Sequence, residues 1–231
     1  MGALRPARVG TLEPRVERLE FAIATSLTLA DLARAPRWPQ ARLDALAGRC
    51  RGALLRDWAA NIERRFGAAA VAAVREATAL DLRTLPDAPS RHGWYPVAAQ
   101  LALTRAVAER YLAGDLLALE PLLHEAGRGA RDRVVEWAMA TVGPGFVMRQ
   151  AERLHRWLYD EGRAAAEVAR DGARVVWGGA PFCGEPTWRV LQAFAVRSTV
   201  ALLDREVVAL EAEDLGPEAF ALTVRWSARL R

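Results

Sequence analysis

The chain has 231 residues, of which 52% are hydrophobic, and it carries a formal net charge of +4. This length and apolar content suffice for a domain with its own core and exclude a largely disordered chain. No apolar run approaches the roughly 18–20 residues of a membrane span, and the first residues, MGALRPARVG, lack the apolar segment of a signal peptide. We therefore expect a cytoplasmic protein without a membrane span.

The basic side chains, 32 in number, are all arginine, and they are interleaved with acidic residues, as in Glu63-Arg64-Arg65. Such mixing is typical of solvated helix faces with ion pairs between successive turns, and not of a nucleic-acid-binding surface. The sequence therefore predicts no nucleic-acid partner.

The first 39 residues form an extension before a single main domain, residues 40–231. Within the extension, the apolar period predicts one helix from Val16 to about Arg34, followed by a break that ends at Pro39. We interpret this helix as a docking element or an arm that binds a protein partner.

The first half of the main domain has helical periodicity. Leu55, Trp58, Ile62 and Phe66 form one apolar row. Pro96 is compatible with the first turn of a helix that opens at Trp94. The predicted helices run from Gln40 to Phe66, from Ala68 to Leu82, from Trp94 to the break at Gly114, and from Leu116 to about Thr141.

The second half is predicted as helix, hairpin, helix, hairpin. A helix follows Gly143, and Asp171-Gly172 then supplies the turn of a first hairpin. A helix from Thr187 to Leu203 precedes a second hairpin around Leu215–Glu218. The predicted fold class is therefore α+β, in which an N-terminal helical half packs on a four-stranded antiparallel sheet.

The last strand has the clearest period of two in the chain, and this fixes its predicted register. One set of side chains should face the helices and the alternate set should point away. The inward set is Phe220, Leu222, Val224 and Trp226, and the outward set is Ala221, Thr223 and Arg225.

Four short features carry a family resemblance: Trp-Tyr-Pro at Trp94–Pro96, the segment Leu154–Arg163, Cys183 after a Gly-Gly-x-Pro turn, and the closing Val-Arg-Trp. They resemble a family of uncharacterised myxobacterial proteins of similar length, over about Arg51 to Ser227. More distantly, the order of elements is similar to 4-vinyl-reductase-like domains, haem-nitric-oxide-binding domains and Bet-type subunits of the TRAPP tethering complex.

The resemblance implies a cavity between sheet and helices, and with it a non-enzymatic sensor or adaptor that binds a hydrophobic small molecule. A ligand-free homodimeric scaffold is the alternative, as in tethering complexes. The aromatic residues predicted to line the cavity are Trp94, Tyr95, Trp157, Trp177 and Phe182.

The resemblance also suggests a haem ligand and a lipid site. His124 is the helical histidine that could bind haem iron, but the Tyr-x-Ser-x-Arg motif that holds the haem propionates in that family is absent here. Cys50 lies in the helical half, as an acylated cysteine of the TRAPP subunits would, without a matching motif. We therefore expect no cofactor.

His155 and Cys183 are the candidates for catalysis, as a histidine–thiolate pair acting on a hydrophobic small molecule. No third group at a recognisable spacing would orient them, and no histidine has the spacing of a metal site. An enzyme is thus the third hypothesis, after the sensor and the scaffold.

The helices between Arg51 and Leu112 carry more apolar surface than a four-stranded sheet can cover. The face of Val97, Leu101, Ala108 and Tyr111 needs a partner of its own. We expect an isologous homodimer through these helices, with the N-terminal helix folding back over the same surface as the opposing interpretation.

Overall fold

The structure is a computed structural model that describes residues 25–78, 86–123 and 143–227. None of the described helices has the length and apolarity that a membrane crossing needs. The elements before the second gap are β1 (Thr25–Leu27), α1 (Leu29–Arg34), α2 (Gln40–Asp44), β2 (Arg49–Arg51), α3 (Gly52–Phe66), α4 (Ala69–Ala77), β3 (Trp94–Pro96), α5 (Val97–Tyr111) and a 3-10 turn (Leu117–Leu119).

After that gap the chain continues as helix, hairpin, helix, hairpin, in the predicted order. The elements are α6 (Pro144–Arg149), α7 (Ala151–Leu158), β4 (Arg163–Val168), β5 (Gly172–Gly178), a 3-10 turn (Pro181–Gly184), α8 (Pro186–Leu202), β6 (Val207–Asp214) and β7 (Ala219–Trp226). The α+β fold class is confirmed.

The main sheet contains the four predicted strands and one more, in the order β1-β6-β7-β5-β4, with antiparallel pairing throughout. The added strand, β1, lies in the segment predicted as helix from Val16, so that prediction is wrong at Thr25–Leu27. The helix α1 begins only after Thr28, whose side chain forms a capping box with Asp31. Residues before Thr25 lie outside the described part of the chain.

The extension is tied into the body of the protein over its described residues. Strand β1 pairs with β6 through Thr25, Ser26 and Leu27, and α1 packs against α8. Leu32 of α1 is buried in the common core.

The predicted register of the last strand is confirmed. Phe220, Leu222 and Val224 are fully buried against the helices, whereas Arg225 is exposed. Ala221 points to the other face but is buried as well, since its small side chain lies between Val176 and Glu213 on the neighbouring strands.

The helical half departs from the prediction at two places that pair with each other. The predicted helix from Gln40 to Phe66 is interrupted by β2, and Trp94–Pro96 forms the strand β3 instead of opening a helix. Cys50 pairs with Tyr95 in this two-stranded ladder. Helical periodicity in each segment could not reveal the pairing, because the pairing joins residues far apart in sequence.

Helix α5 is the centre of the helical half. Every residue from Val97 to Ala108 is buried, with α2, α3, α4 and α8 packed around the helix, and Tyr111 stacks on Phe66 at 4.4 Å between ring centroids. The apolar face that was expected to need a second copy is therefore covered within the chain. The homodimer itself stays a prediction, but it no longer has an uncovered face of α5 to support it.

Candidate functional site

A cavity lies over β5, between the helix pair α6–α7 and helix α8. Its volume is about 120 Å³, which is smaller than the roughly 300–1,000 Å³ of sites for drug-sized ligands but well above the ~15 Å³ that one water molecule needs. The described lining residues are Val147, Met148, Ala151, Leu154, His155, Leu158, Tyr159, Val175, Trp177, Gln192, Ala195, Val196 and Thr199.

Helices α6 and α7 form one wall of the cavity. The sequence predicted a single helix where the structure has these two. The backbone leaves helical geometry at Gln150 (φ −89°, ψ 8°), and α7 then ends at Leu158. The break lets α6 turn its Val147 and Met148 toward the same cavity as Ala151 and His155 of α7.

The lining is mostly apolar, and none of its described residues carries a permanent charge. Five of its side chains bring hydrogen-bonding groups, and one of these is the indole N–H of Trp177. The Thr199 hydroxyl donates to the carbonyl of Ala195 at 2.8 Å. The other three, His155, Tyr159 and Gln192, form the polar end of the cavity.

Two of these residues, Tyr159 and Gln192, share long hydrogen bonds. The Tyr159 hydroxyl donates to Gln100 Oε1 at 3.4 Å, and Gln192 Nε2 donates to the Tyr159 hydroxyl at 3.4 Å. Hydrogen bonds from a hydroxyl or an amide group to an oxygen atom are normally about 2.7–3.0 Å long, so both contacts are weak. Burial raises the pKa of Tyr159 far above its usual range, so its hydroxyl stays protonated.

His155 is buried and neutral. Its Nε2 lies 2.9 Å from the carbonyl of Glu161, and since a carbonyl only accepts, Nε2 carries the proton. Burial lowers the pKa of His155 below its ordinary value, a shift that the bond to Glu161 partly opposes. Gly162 makes this turn possible with a φ of +77°, where an added Cβ would lie 3.1 Å from Nε2.

Of the five aromatic residues predicted to line a cavity, Trp177 does so. Phe182 lies behind the lining, fully buried, with its ring centroid 5.4 Å from that of Tyr159. Trp177 stacks on Phe220 at 5.0 Å, so the cavity wall continues into the aromatic core.

The other three predicted aromatics lie elsewhere. Trp94 packs under the guanidinium of Arg51 at 3.9 Å, and the Tyr95 hydroxyl accepts a hydrogen bond from the backbone of Ser90 at 2.9 Å. Trp157 is on α7 with 49% of its surface exposed. They are absent from the described lining of the cavity.

Sequence reasoning missed the residues of α8 that face the cavity. Gln192, Ala195/Val196 and Thr199 recur at helical spacing and form one stripe along α8. The stripe mixes small, apolar and polar side chains, so hydrophobicity alone gave no signal for it.

Cys183 and Cys50 are both fully buried, and burial raises the pKa of each thiol to about 12. A thiol with such a pKa is not a nucleophile at neutral pH. The described contacts include no hydrogen bond between Cys183 and His155, and Nε2 of the histidine is engaged with Glu161. Among the described residues there is also no group of three metal-ligating side chains.

The fold is similar to that of haem nitric oxide/oxygen-binding (H-NOX) proteins. An unliganded Fe(II) H-NOX protein from K. algicida superposes with a TM-score of 0.56 at 11% identity, over 78% of this chain and 98% of that chain. One from S. oneidensis in the Fe(II)NO state gives 0.56 at 10% identity, over 77% and 99%. An oxygen-binding H-NOX domain related to soluble guanylate cyclases gives 0.52 at 10% identity, over 78% and 97%.

At these identities the likeness shows the fold alone. It bears out the haem-nitric-oxide-binding part of the resemblance at that level, while the myxobacterial family and the other distant relatives stay predictions. No protein-family model matches the sequence, and no curated protein matches it.

The cavity over β5 does not fit haem, the group that this fold holds in its solved relatives. Haem carries two propionates, and no described lining residue is a cation that could pair with them. His155 has its Nε2 bound to Glu161, and the Tyr-x-Ser-x-Arg motif is missing from the sequence. His124, the predicted candidate for an iron ligand, lies outside the described residues.

Proposed function

We propose that this protein is a non-enzymatic sensor or adaptor module that binds an apolar small molecule between α6–α7 and α8 and acts through protein contacts. The observation that carries the proposal is the cavity itself, which joins an apolar lining to one polar end whose hydrogen bonds are long. The sensor-type proteins of the same fold, among them an oxygen-binding domain, make a ligand-controlled module the natural comparison.

The walls of the cavity also supply a route from ligand to partner. Helices α6 and α7 are short and joined by a break, and three of their apolar side chains face solvent: Phe146 (48% exposed), Leu154 (41%) and Trp157 (49%). Leu154 belongs to the lining as well. A ligand that binds one arrangement of these helices more tightly would shift the population of the surface they present.

The buried groups favour binding over catalysis. A nucleophile needs a pKa low enough to ionise at the working pH, whereas burial keeps Tyr159 and Cys183 protonated. His155 is neutral, the form that a general base needs, but no described hydrogen bond joins it to a nucleophile. In the described part of the chain, the cavity therefore offers hydrogen bonds and apolar contact without an activated nucleophile.

A ligand-free homodimeric scaffold is the competing function. The exposed Phe146, Leu154 and Trp157 favour it, because exposed apolar side chains on adjoining helices are typical of a surface that a partner covers. The sensor and the scaffold differ in whether the cavity holds a molecule and in whether the purified protein is a stable dimer.

Native mass spectrometry measures both properties at once. Ala195 lines the cavity from α8 and is exposed, so Ala195→Trp should fill the mouth without disturbing the core. Ala201 is an exposed alanine of the same helix outside the lining, and Ala201→Trp is the matched control. We expect a retained small molecule in the wild type and in the control, and its loss in Ala195→Trp. A ligand-free dimer in all three proteins would favour the scaffold.

A further inference from the structure

We infer that the cavity selects uncharged ligands with an apolar body and one hydrogen-bonding group, and that Gln192 and Tyr159 bind that group. This inference rests on the proposed function and narrows it to a chemical class of ligand. Small neutral alcohols, phenols, ketones and amides belong to the class, and carboxylates and sulfonates do not.

The exclusion of charge follows from the lining. The described residues around the cavity include no arginine, aspartate or glutamate, and the buried His155 is neutral. An ion entering this space would lose its hydration and gain no counter-charge, and that loss is large for any buried unpaired ion. The protein as a whole carries +4 and would attract anions to its surface, so the selection has to come from the cavity.

The assignment of the polar end follows from its hydrogen bonds. The Tyr159 hydroxyl and the Gln192 amide meet each other at 3.4 Å, and the hydroxyl meets Gln100 at the same distance. A ligand hydroxyl or carbonyl between the two side chains could form bonds of normal length to both. Buried polar groups with poor partners are those that gain most from a ligand group.

The rest of the lining accounts for the apolar body. Met148, Leu158, Val175 and Val196 surround the space, and Trp177 adds a flat aromatic wall. Apart from the polar end, the self-bonded Thr199 and the indole N–H of Trp177, the described lining has no hydrogen-bonding side chain. A second polar group on the ligand would therefore have few partners in the apolar part of the lining.

A pair of fluorescent probes tests the exclusion of charge. N-phenyl-1-naphthylamine is neutral, and 1-anilinonaphthalene-8-sulfonate is the same molecule with a sulfonate added. We expect the neutral probe to bind the full-length protein at least about tenfold more tightly, since one unpaired buried charge costs more than a factor of ten. The binding should be lost in Ala195→Trp and kept in Ala201→Trp.

A second pair tests the polar end. Naphthalene and 2-naphthol differ by one hydroxyl, and each is measured by its displacement of the neutral probe. We expect 2-naphthol to bind several-fold more tightly to the wild type, and the preference to disappear in Gln192→Leu while naphthalene binds as before. Circular dichroism and thermal unfolding show whether the variant is folded, and Tyr159→Phe gives an independent second variant.

The outcomes separate the inference from the proposed function. If neither probe binds in a manner that Ala195→Trp abolishes, the cavity is not a ligand site and the proposed function fails. If the sulfonate probe binds that site as tightly as the neutral one, the proposed function stands and the exclusion of charge is wrong. A preference for 2-naphthol that survives both Gln192→Leu and Tyr159→Phe would overturn the assigned polar end.

Discussion

The beginning and the middle of helix α8 hold polar side chains in opposite ways. At its start, Glu185 accepts hydrogen bonds from the backbone of Trp188 at 2.8 Å, from Thr187 at 3.2 Å, and from Arg105 of α5. Two turns further on, Gln192 meets Tyr159 only at 3.4 Å. The cluster around Glu185, whose hydrogen bonds are shorter and complete, holds the fold together. The pair Gln192 and Tyr159, whose hydrogen bond is long, keeps hydrogen-bonding capacity for a ligand.

The cluster around Glu185 joins the two halves of the protein. Glu185 caps α8, where a carboxylate is favoured by the unpaired backbone N–H groups and the helix dipole. Arg105 reaches it from the buried helix α5 and also donates to the carbonyl of Trp38 at 2.7 Å. Both charges are nearly inaccessible to solvent, so each depends on the other.

The largest expected effect is the loss of stability when the Glu185–Arg105 ion pair is broken. Glu185→Ala leaves the Arg105 guanidinium buried without its carboxylate and removes the cap of α8, and we expect a loss of about 3–5 kcal/mol in the free energy of unfolding in urea. The control is Asp57→Ala, which breaks the exposed pair with Arg91 and should change stability by about 1 kcal/mol or less. Equal losses in the two variants would contradict the difference between the buried and the exposed pair.

A smaller loss of stability is expected when the pH is lowered, because His155 beside the cavity becomes protonated. The pKa of His155 is lowered in the folded protein, so the unfolded chain binds the proton more readily. Above pH ~6.5, the pKa of His155 in the unfolded chain, the protein keeps the full stability that neutral His155 gives. It loses this stability as the pH falls from there toward the lower pKa of His155 in the folded protein. Over that interval the free energy of unfolding falls by at most about 1.4 kcal/mol for each unit of pH.

Urea unfolding at about pH 7.5 and pH 5.5 measures this loss. His155→Gln should show a smaller drop in stability between the two pH values than the wild type. The exposed His92 supplies the control, since His92→Gln should leave the drop unchanged. A drop of the same size in all three proteins would mean that burial of His155 does not govern its ionisation.

A still smaller effect is expected at the polar end. Tyr159→Phe removes a hydroxyl whose hydrogen bonds with Gln100 and Gln192 are both 3.4 Å long, so we expect a loss of about 1 kcal/mol or less in the free energy of unfolding. This is well below the loss for Glu185→Ala. A loss as large as that of Glu185→Ala would show that the Tyr159 hydroxyl stabilises the fold as strongly as the Glu185–Arg105 ion pair does.

We expect the protein not to bind haem. Purified protein supplied with haem should show no stoichiometric Soret band, because the propionate-binding motif is absent and the described cavity has no cation. Absorption spectroscopy of the wild type makes the test. A tight band that disappears in His124→Ala would show that this chain holds haem after all.

The C-terminal half was predictable because its signals are local. Asp171-Gly172 specifies a hairpin turn, and the alternation from Phe220 to Trp226 specifies which face of the strand is buried. The long helix α8 follows from its periodicity. Each of these features is written within a few consecutive residues, and each is present in the structure.

The interrupted helices were not predictable in the same way. The segments of β2 and β3 have the periodicity of helices, but Cys50 and Tyr95 pair with each other across 45 positions of sequence. Gly52 then approaches the Ser90 carbonyl so closely that an added Cβ would lie 2.0 Å from the oxygen. Tertiary packing overrides local propensity at such points.

The sequence by itself determined the fold class, the order of the C-terminal elements and the register of β7, since turn residues and period-two alternation act over short distances. Only the tertiary structure decided where the cavity lies and that α5 is covered by its own chain. The tertiary structure also decided that Gln192 meets Tyr159 across the cavity. The physical reason is that a cavity is formed by residues from separate elements, whose distances depend on how all the layers pack.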